Sequence, residues 1–349
     1  MQTLRLGLIG YGAWGKFHAR AIQETPGCEL RAIGCATEAS YQAAKADTNA
    51  IVSTDYAAVV SHPEVEAVDI VVPNYLHEEI ACAALNAGKH VLLEKPMSVS
   101  VESCDRIIEA AKKSGKLLLI GHEMRFSSMY ARIHQLIKSG RLGEPRYVMF
   151  DLWRRPYRPG SSGWRLDPKR VGNWTLEEPV HFFDAAGWYL SSAGEPVSVY
   201  AYGNRNDSSL TYDADISDNF TAIFSYPNRA YAMISQTLAA VEHHCSIKVF
   251  GSEALVRAEW HAELDRSEHP SFSLEVSNNG KMEGETLSST PGELFELREE
   301  IAAFAGAIRN GDPLPISPEE GRRAVMLCVE ARRSLESGEA LSLMEAVPA

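Results

Sequence analysis

The sequence predicts an α/β fold in which a doubly wound parallel sheet is followed by an α+β domain with a mostly antiparallel, open sheet. Residues 1–122 alternate apolar strands with helices, which is typical of parallel sheets. After Met124 the strands become period-2 or aromatic-rich and are separated by Gly, Pro and Asn turns. A length of 349 residues suits two domains. We therefore expect one domain over 1–122 and a second over 123–349.

The strands of the first domain are expected where short apolar runs end in turn residues. In order they are LRLGLI (4–9), ELRAIGCA (29–36), the start of AIVSTDYAAVVSHP (50–63), AVDIVVP (67–73), HVLLEKP (90–96) and KLLLIGH (116–122). AVDIVVP reads as a continuous apolar run, which indicates a strand covered on both faces. Helices are expected after the glycine motif at 10–15 and over 38–47, 77–88 and 100–115.

The second domain is expected to begin with a helix near 127–139 and to continue as a sheet. Its expected strands are PRYVMFDLW (145–153), VSVYAYGN (197–204), DNFTAIFSY (218–226), AYAMISQTL (230–238), CSIKVFGS (245–252) and ALVRAEW (254–260). Two helices, near 292–310 and 318–337, close the chain.

Composition narrows the class of protein. The net charge of −12 disfavours nucleic-acid binding, which requires a basic face. No window approaches 18 apolar residues, and the apolar start is too short for a signal peptide, so we expect no membrane partner. The six cysteines are dispersed without a CxxC pair, which favours a reduced, cytoplasmic protein. No metal site is expected, because His243, His244 and Cys245 alternate between the two faces of one strand.

A GxGxxG motif directly after the first strand predicts a dinucleotide-binding Rossmann domain. Gly10 permits a tight turn, Gly12 lets the backbone approach a pyrophosphate, and Gly15 lets the helix pack closely. The carboxylate expected near the ribose is replaced by Cys35, and Glu38 is the nearest acid, so NAD is favoured and NADP stays an alternative. The remaining residues expected at the cofactor here are Tyr11, Ala13, Trp14 and Thr37.

The segment EKPMS (94–98) places Lys95 between a strand and a helix. The carboxyl ends of strands in an open α/β sheet are where ligands gather. A lysine at such an edge can shuttle protons or hydrogen-bond a hydroxyl group. The alternative is a solvated lysine before a turn proline.

Three blocks, GLIGYGAWG, VVPNYLHEEIACAALNAGKHVLLEKPMS and HFFD, resemble in their order the signatures of the glucose–fructose oxidoreductase/inositol dehydrogenase (Gfo/Idh/MocA) family. The resemblance spans both domains. It implies a sugar- or polyol-acting oxidoreductase with nicotinamide held between the domains. It also implies that Lys95 acts at the substrate hydroxyl and that His181 is the catalytic histidine. The residues that it implies along the cofactor are Pro73, Asn74, His77, Glu94, Lys95 and Pro96.

The segment NWTLEEPVHFFD (173–184) departs from the family pattern DxGxHxxD, because Glu177 and Pro179 stand where Asp and Gly are usual. Pro179 suits the first position of a helix. His181 then lies in the first turn, where the helix dipole disfavours the imidazolium, and Asp184 can orient its ring. With Glu177, these residues are the candidate catalytic set. The alternative makes Glu178 the helix cap and His181 a core residue.

The segment WRRPYRPGSSGWRLDPKR (153–170) carries six basic residues against one acid, Asp167. Such a cluster repels itself unless it is neutralised, and arginine suits carboxylate, phosphate or sulfonate groups. We therefore expect an anionic group on the substrate, with a solvated loop or a subunit contact as the alternative. The candidate substrate residues are Arg125, Trp153, Arg154, Arg155, Tyr157, Arg158, Trp164 and Arg165.

The function expected from these features is NAD(P)-dependent oxidation of a secondary hydroxyl of a sugar, sugar derivative or inositol, with proton transfer by Lys95 or His181. A redox glycosidase that oxidises the sugar transiently and eliminates a leaving group is one alternative. A non-catalytic dinucleotide sensor is another. The expected partners are a small-molecule substrate and, by resemblance, further copies of the chain in a homodimer or homotetramer.

Overall fold

The computed structural model describes residues 3–205 and 217–344. The chain divides into two compact units. The first unit comprises Met1–Glu123, Lys169–Gly172 and Glu296–Val325, and the second comprises Met124–Pro168, Asn173–Phe295 and Met326–Ala349. The expected boundary at 122 lies next to the first break. The segments Lys169–Gly172 and Glu296–Val325, which belong to the first unit, were expected in the second domain.

Packing within the first unit explains why a late segment joins it. A Cβ atom built on Gly321 would lie 2.7 Å from Cγ1 of Ile120, so the helix that contains Gly321 lies directly against that strand. Arg322 also donates from Nε to Oδ1 of Asp105 at 2.5 Å. Contacts between residues some 200 positions apart cannot be read from local sequence patterns.

The first unit contains a parallel sheet in the order β3-β2-β1-β4-β5-β6, which confirms the doubly wound α/β prediction. Its strands are β1 (Leu4–Ile9), β2 (Cys28–Gly34), β3 (Ile51–Ser53), β4 (Ala67–Ile70), β5 (His90–Glu94) and β6 (Leu118–Gly121). The connecting helices are α1 (Ala13–Glu24), α2 (Glu38–Asp47), α3 (Tyr56–Val60), α4 (His77–Asn86) and α5 (Val101–Ser114). Ser100 caps α5 by accepting from the backbone N–H of Ser103 at 3.2 Å.

The second unit is built on a mixed, mostly antiparallel sheet in the order β14-β13-β12-β11-β7-β10-β9-β8-β15. Its strands are β7 (Pro145–Trp153), β8 (Ser198–Asn204), β9 (Asn219–Ser225), β10 (Tyr231–Thr237), β11 (His243–Gly251), β12 (Leu255–Ala262), β13 (Ser271–Asn278), β14 (Lys281–Gly284) and β15 (Leu341–Ser342). Only β7 and β10 pair in parallel among these described strands. The strands from β7 to β12 were expected, and β13, β14 and β15 were not.

Of the five remaining described helices, four lie close to their expected positions, and the short helix at Pro168–Val171 was not expected. The five are α6 (Ser128–Lys138), α7 (Pro168–Val171), α8 (Pro179–Tyr189), α9 (Glu293–Asn310) and α10 (Pro318–Ser337). Short 3₁₀ turns occur at Asn74–Leu76, Glu123–Phe126, Ser161–Leu166, Trp174–Leu176 and Ser191–Ala193. No helix in the described ranges is both long and apolar enough to cross a membrane.

Candidate active site

The glycine loop of the first unit has the geometry that the motif predicts. Gly10 has a φ of +105°, and a Cβ there would lie 2.0 Å from the carbonyl oxygen of Val71. A Cβ on Gly15 would lie 2.0 Å from the carbonyl oxygen of Gly10. By contrast, a Cβ on Gly12 would meet no atom within 4 Å. The loop is therefore closed on its strand side and open at Gly12.

The start of α1 fits a phosphate group. Its N-cap residue is Gly12, so no side chain caps the first N–H groups, and its first turn carries no acid. The helices α2, α4 and α5 each have a glutamate in the first turn. Because backbone N–H groups and the helix dipole favour an anion at such an end, α1 alone of these four helices leaves that place to a ligand. The residues present thus fit a dinucleotide.

The expected adenosine end of the site lies after β2. Cys35 is buried, and burial raises the pKa of its thiol. Thr37 is exposed and caps α2 by accepting from Ser40 N at 3.2 Å, and the exposed Glu38 is the first residue of that helix. Glu38 and Thr37 are therefore accessible at this edge, whereas the Cys35 side chain points into the core.

The other expected cofactor residues separate into two groups by exposure. Gly10, Gly12, Ala13, Trp14, Pro73 and Lys95 are exposed or half-buried, and Tyr11, Gly15, Asn74, His77, Glu94 and Pro96 are buried. The ring nitrogens of His77 lie 2.7 Å from Pro96 O and 2.9 Å from Val72 O. His77 thus ties together the turns that follow β4 and β5, and its contact with a cofactor stays a prediction.

A buried polar cluster that joins α1, β4 and β5 was not predicted from the sequence. His18 Nδ1 lies 2.8 Å from Asp69 Oδ2, and its Nε2 lies 3.0 Å from Glu94 Oε1. Trp14 donates to the same Glu94 oxygen at 3.1 Å. The signal was present, because Asp69 interrupts the run AVDIVVP that was read as continuously apolar. An acid in a covered strand requires a buried partner.

The second unit contains the predicted histidine. The helix α8 begins with Pro179 in its first turn, as expected, and His181 is 2% exposed. The backbone N–H of His181 donates to Glu178 O at 3.0 Å. Glu178 occupies the N-cap position, but its side chain makes no capping hydrogen bond. Glu178 is therefore the N-cap residue without a side-chain cap, and the buried position of His181 agrees with the alternative in which it is a core residue as well as with a catalytic role.

Asp184 is held from another part of the second unit. Arg125 donates to its two carboxylate oxygens from Nε at 2.7 Å and from Nη2 at 2.6 Å, and both side chains are almost fully buried. The expectation that Asp184 orients His181 did not include this bidentate partner. Arg125 was expected at the substrate, but the structure gives it the task of fixing Asp184, and a substrate contact stays a prediction.

Three arginines of the arginine-rich loop have carboxylate partners within the second unit, so the charge of these three does not by itself require an anionic substrate. Arg154 forms an ion pair with Glu178 and approaches Asp265 at 3.6 Å. Arg165 donates to Glu177 at 2.5 Å. A third arginine, Arg155, lies 3.5 Å from Glu263. Two of these four acids lie on a segment about 100 residues away along the chain, where local charge counting could not detect them.

The aromatic residues of the same loop serve mainly its own packing. Tyr157 and Trp164 are buried, and Arg154 and Arg165 stack on them at 4.5 Å and 4.7 Å from the ring centroids. Tyr157 donates to Gln236 at 3.1 Å, and burial raises the pKa of its phenol. Only Trp153 among the three is exposed. Contact of these rings with a sugar stays a prediction.

Comparison with known proteins agrees with this arrangement. Residues 4–122 match the model of an oxidoreductase family with an NAD-binding Rossmann fold, GFO_IDH_MocA, and residues 130–257 match the GFO/IDH/MocA C-terminal domain. The chain belongs to the Gfo/Idh/MocA family. This confirms the resemblance seen in the sequence, and with it an oxidoreductase with an NAD-binding Rossmann domain.

Among the relatives, a myo-inositol 2-dehydrogenase of Thermotoga maritima is 26% identical over 99% of this chain and 100% of its own. An uncharacterised oxidoreductase of Escherichia coli, YdgJ, is 32% identical over 69% of this chain and 67% of its own. The crystal structure of the aldose–aldose oxidoreductase of Caulobacter crescentus has a TM-score of 0.84 at 21% identity, over 98% of this chain and 100% of its own. At that identity the likeness shows the fold.

Within the described ranges, no group of three or more His, Cys, Asp or Glu residues is placed to hold a metal ion. All six cysteines are free thiols.

Proposed function

We propose that this oxidoreductase transfers hydride from a secondary hydroxyl of a sugar or inositol to NAD, with Lys95 or His181 accepting the hydroxyl proton. The single observation that carries the cofactor part is the uncapped, acid-free start of α1 above the open Gly12. The dinucleotide supplies the hydride chemistry, and the protein supplies binding and proton transfer.

NAD rather than NADP is favoured by the residues after β2. Glu38 is exposed in the first turn of α2, where its carboxylate can accept from ribose hydroxyls and would repel a 2′-phosphate. Arginine, the usual partner of a 2′-phosphate, is absent between residues 35 and 50.

A neutral polyol is favoured as the substrate class. The relative from Thermotoga maritima carries the name myo-inositol 2-dehydrogenase, and Arg154, Arg155 and Arg165 already have carboxylate partners. A neutral substrate leaves those ion pairs intact. An anionic sugar would compete with Glu177 and Glu178 for their arginines.

The test is reduction of NAD, followed by absorbance, with a panel of inositols and matched neutral and anionic sugars. Lys95→Ala and His181→Ala are expected to lower kcat by ~10²–10⁴-fold, which is the usual contribution of a general acid or base. The exposed Lys113→Ala and His269→Ala variants are the controls and should leave kcat unchanged. Wild-type turnover in the His181 variant would refute its assignment as the base, and a clear preference for anionic sugars would refute the neutral substrate.

The two alternatives give different results in the same experiment. A redox glycosidase would cleave glycosides without net accumulation of NADH. A sensor would bind NAD without oxidising any sugar. Its NAD binding would be unchanged in the Lys95→Ala and His181→Ala variants.

We propose in addition that the chain forms a homodimer or homotetramer through one face of the second sheet. Tyr200, Ile223 and Tyr231 lie on the neighbouring strands β8, β9 and β10 of that face, and Phe250 lies on β11, beyond β7; each is 36% exposed or more. Contiguous exposed apolar patches mark protein interfaces. Tyr231→Lys is expected to shift the molecular mass in analytical ultracentrifugation towards the monomer. A wild-type chain that sediments as a monomer would refute this proposal.

A further inference from the structure

The buried cluster beneath the glycine loop joins three elements of the first unit. His18 comes from α1, Asp69 from β4 and Glu94 from the end of β5. All three side chains are 5% exposed or less. Glu94 accepts from Trp14 on Oε1 at 3.1 Å, and its Oε2 accepts from the backbone N–H of Lys95 at 3.2 Å. A chain of contacts therefore runs from the helix of the glycine loop to the backbone of Lys95.

The geometry around His18 favours the charged imidazolium form of its ring. Both ring nitrogens face carboxylate oxygens, and a neutral imidazole has only one N–H to donate. The contact at Nδ1 is an aligned hydrogen bond, whereas the 3.0 Å contact at Nε2 meets the distance of an ion pair without hydrogen-bond alignment. Burial opposes the charge, but Asp69 and Glu94 together raise the pKa of His18 well above its ordinary value.

The acids around His18 differ in the direction in which their pKa is shifted. Burial raises the pKa of Asp69, whereas His18 and Lys95 outweigh burial and lower the pKa of Glu94. Glu300 on α9 is fully buried, and both of its carboxyl oxygens lack a hydrogen-bond partner within the described residues. Burial and the nearby charge of Glu94 raise the pKa of Glu300 well above normal, with Asp69 and Glu296 adding to the effect. Burial without a hydrogen-bond partner and the raised pKa both favour the protonated form of Glu300, whereas the Glu94 carboxylate faces the ring of His18.

We propose that the His18 imidazolium is a positioning group that aligns the Glu94 carboxylate and, through it, the backbone of Lys95. Its effect on turnover rests on the proposed function of Lys95. Its effect on structure does not, because it is a property of the protein without ligand. His18 holds the helix that begins at the phosphate-binding loop and the turn that carries the proposed proton-transfer residue in one fixed arrangement.

Two measurements on the ligand-free protein test the proposal directly. ¹⁵N-histidine NMR, with His18→Gln for assignment, should show His18 as an imidazolium at pH 8, above the ordinary histidine pKa of ~6.5. Hydrogen exchange at Lys95 should be about ten- to a hundredfold faster in His18→Gln, because Glu94, whose carboxylate accepts from the Lys95 N–H, is no longer held in place and this hydrogen bond weakens. The control is His90→Gln on β5, since His90 contacts Leu117 N outside the cluster.

The kinetic measurement adds a third readout. In His18→Gln, kcat should fall on the order of 10²-fold, as for a misplacement of about 1 Å, with KM for the polyol nearly unchanged. If His18→Gln does not fold, Asp69→Asn takes its place and should lower the titration midpoint of His18.

A neutral His18 at pH 7 in the wild type, or unchanged Lys95 exchange in the variant, would overturn the proposal. If the wild type reduces no NAD with any polyol, the proposed function fails, and the NMR and exchange results still decide the positioning role.

Discussion

Replacing Gly12 should impair cofactor binding, whereas replacing Gly15 of the same motif should lower the stability of the fold. Gly12 has φ −84° and ψ −164°, which any L-residue can adopt, and a Cβ there meets no atom within 4 Å. Gly12→Val should therefore leave the ligand-free fold intact and block the pyrophosphate. A Cβ on Gly15 would lie 2.0 Å from the Gly10 carbonyl oxygen, so Gly15→Ala must move the backbone. Overpacking of this kind costs roughly 1–3 kcal/mol and should lower Tm by about 2–12 °C.

The assay pairs calorimetry of the ligand-free protein with NAD titration by intrinsic fluorescence. Gly12→Val should keep the wild-type Tm and lose about a hundredfold or more in affinity, equivalent to ~2.8 kcal/mol. Gly284→Ala is a matched control, because a Cβ there also meets nothing within 4 Å and the residue lies in β14. Wild-type NAD affinity in Gly12→Val would refute the placement of the pyrophosphate. A Gly12→Val protein that unfolds as readily as Gly15→Ala would refute the packing argument.

Two further predictions concern buried ionisable residues. Asp184→Ala removes the bidentate partner of the buried Arg125 and should lower the free energy of unfolding by about 3–5 kcal/mol in urea titrations, and a loss below ~1 kcal/mol would contradict this. Glu300→Gln should raise Tm more at pH 8 than at pH 5. The raised pKa means that the folded protein keeps a proton that the unfolded chain releases above pH ~4.3, so wild-type stability falls as pH rises, and glutamine does not titrate. Equal gains in Tm at the two pH values would contradict the buried neutral acid.

Much of the fold was predictable because its signals are local. The segment PRYVMFDLW coincides with β7, and the helix expected at 318–337 coincides with α10. By contrast, β13 (Ser271–Asn278) was not predicted, although Phe272, Leu274 and Val276 alternate with polar residues along it. The strand β14 (Lys281–Gly284) is a short, largely exposed edge strand that has no such pattern to detect.

The site was predictable in its residues but not in their partners. The preference of proline for the first position of a helix correctly placed Pro179 and His181 at the start of α8. Helical spacing suggested Asp184 as the neighbour of His181, and it could not reveal Arg125, which is 59 residues earlier in the chain. Ion pairs between distant segments depend on tertiary packing, so a charge count over one loop overestimates its need for an external ligand.

The position of the buried Arg125–Asp184 ion pair indicates a role for it other than stability. Burying an ion pair seldom adds stability compared with apolar residues of similar size, whereas removing one partner is strongly destabilising. Stability therefore does not explain Arg125 and Asp184, whose pair lies one helical turn beyond His181 on α8. A fixed orientation of the first turn of α8 does explain it. Replacing both partners together, as Arg125→Met with Asp184→Leu, should recover most of the stability lost in Asp184→Ala without recovering kcat. Recovery of kcat with stability would mean that the pair only supports folding.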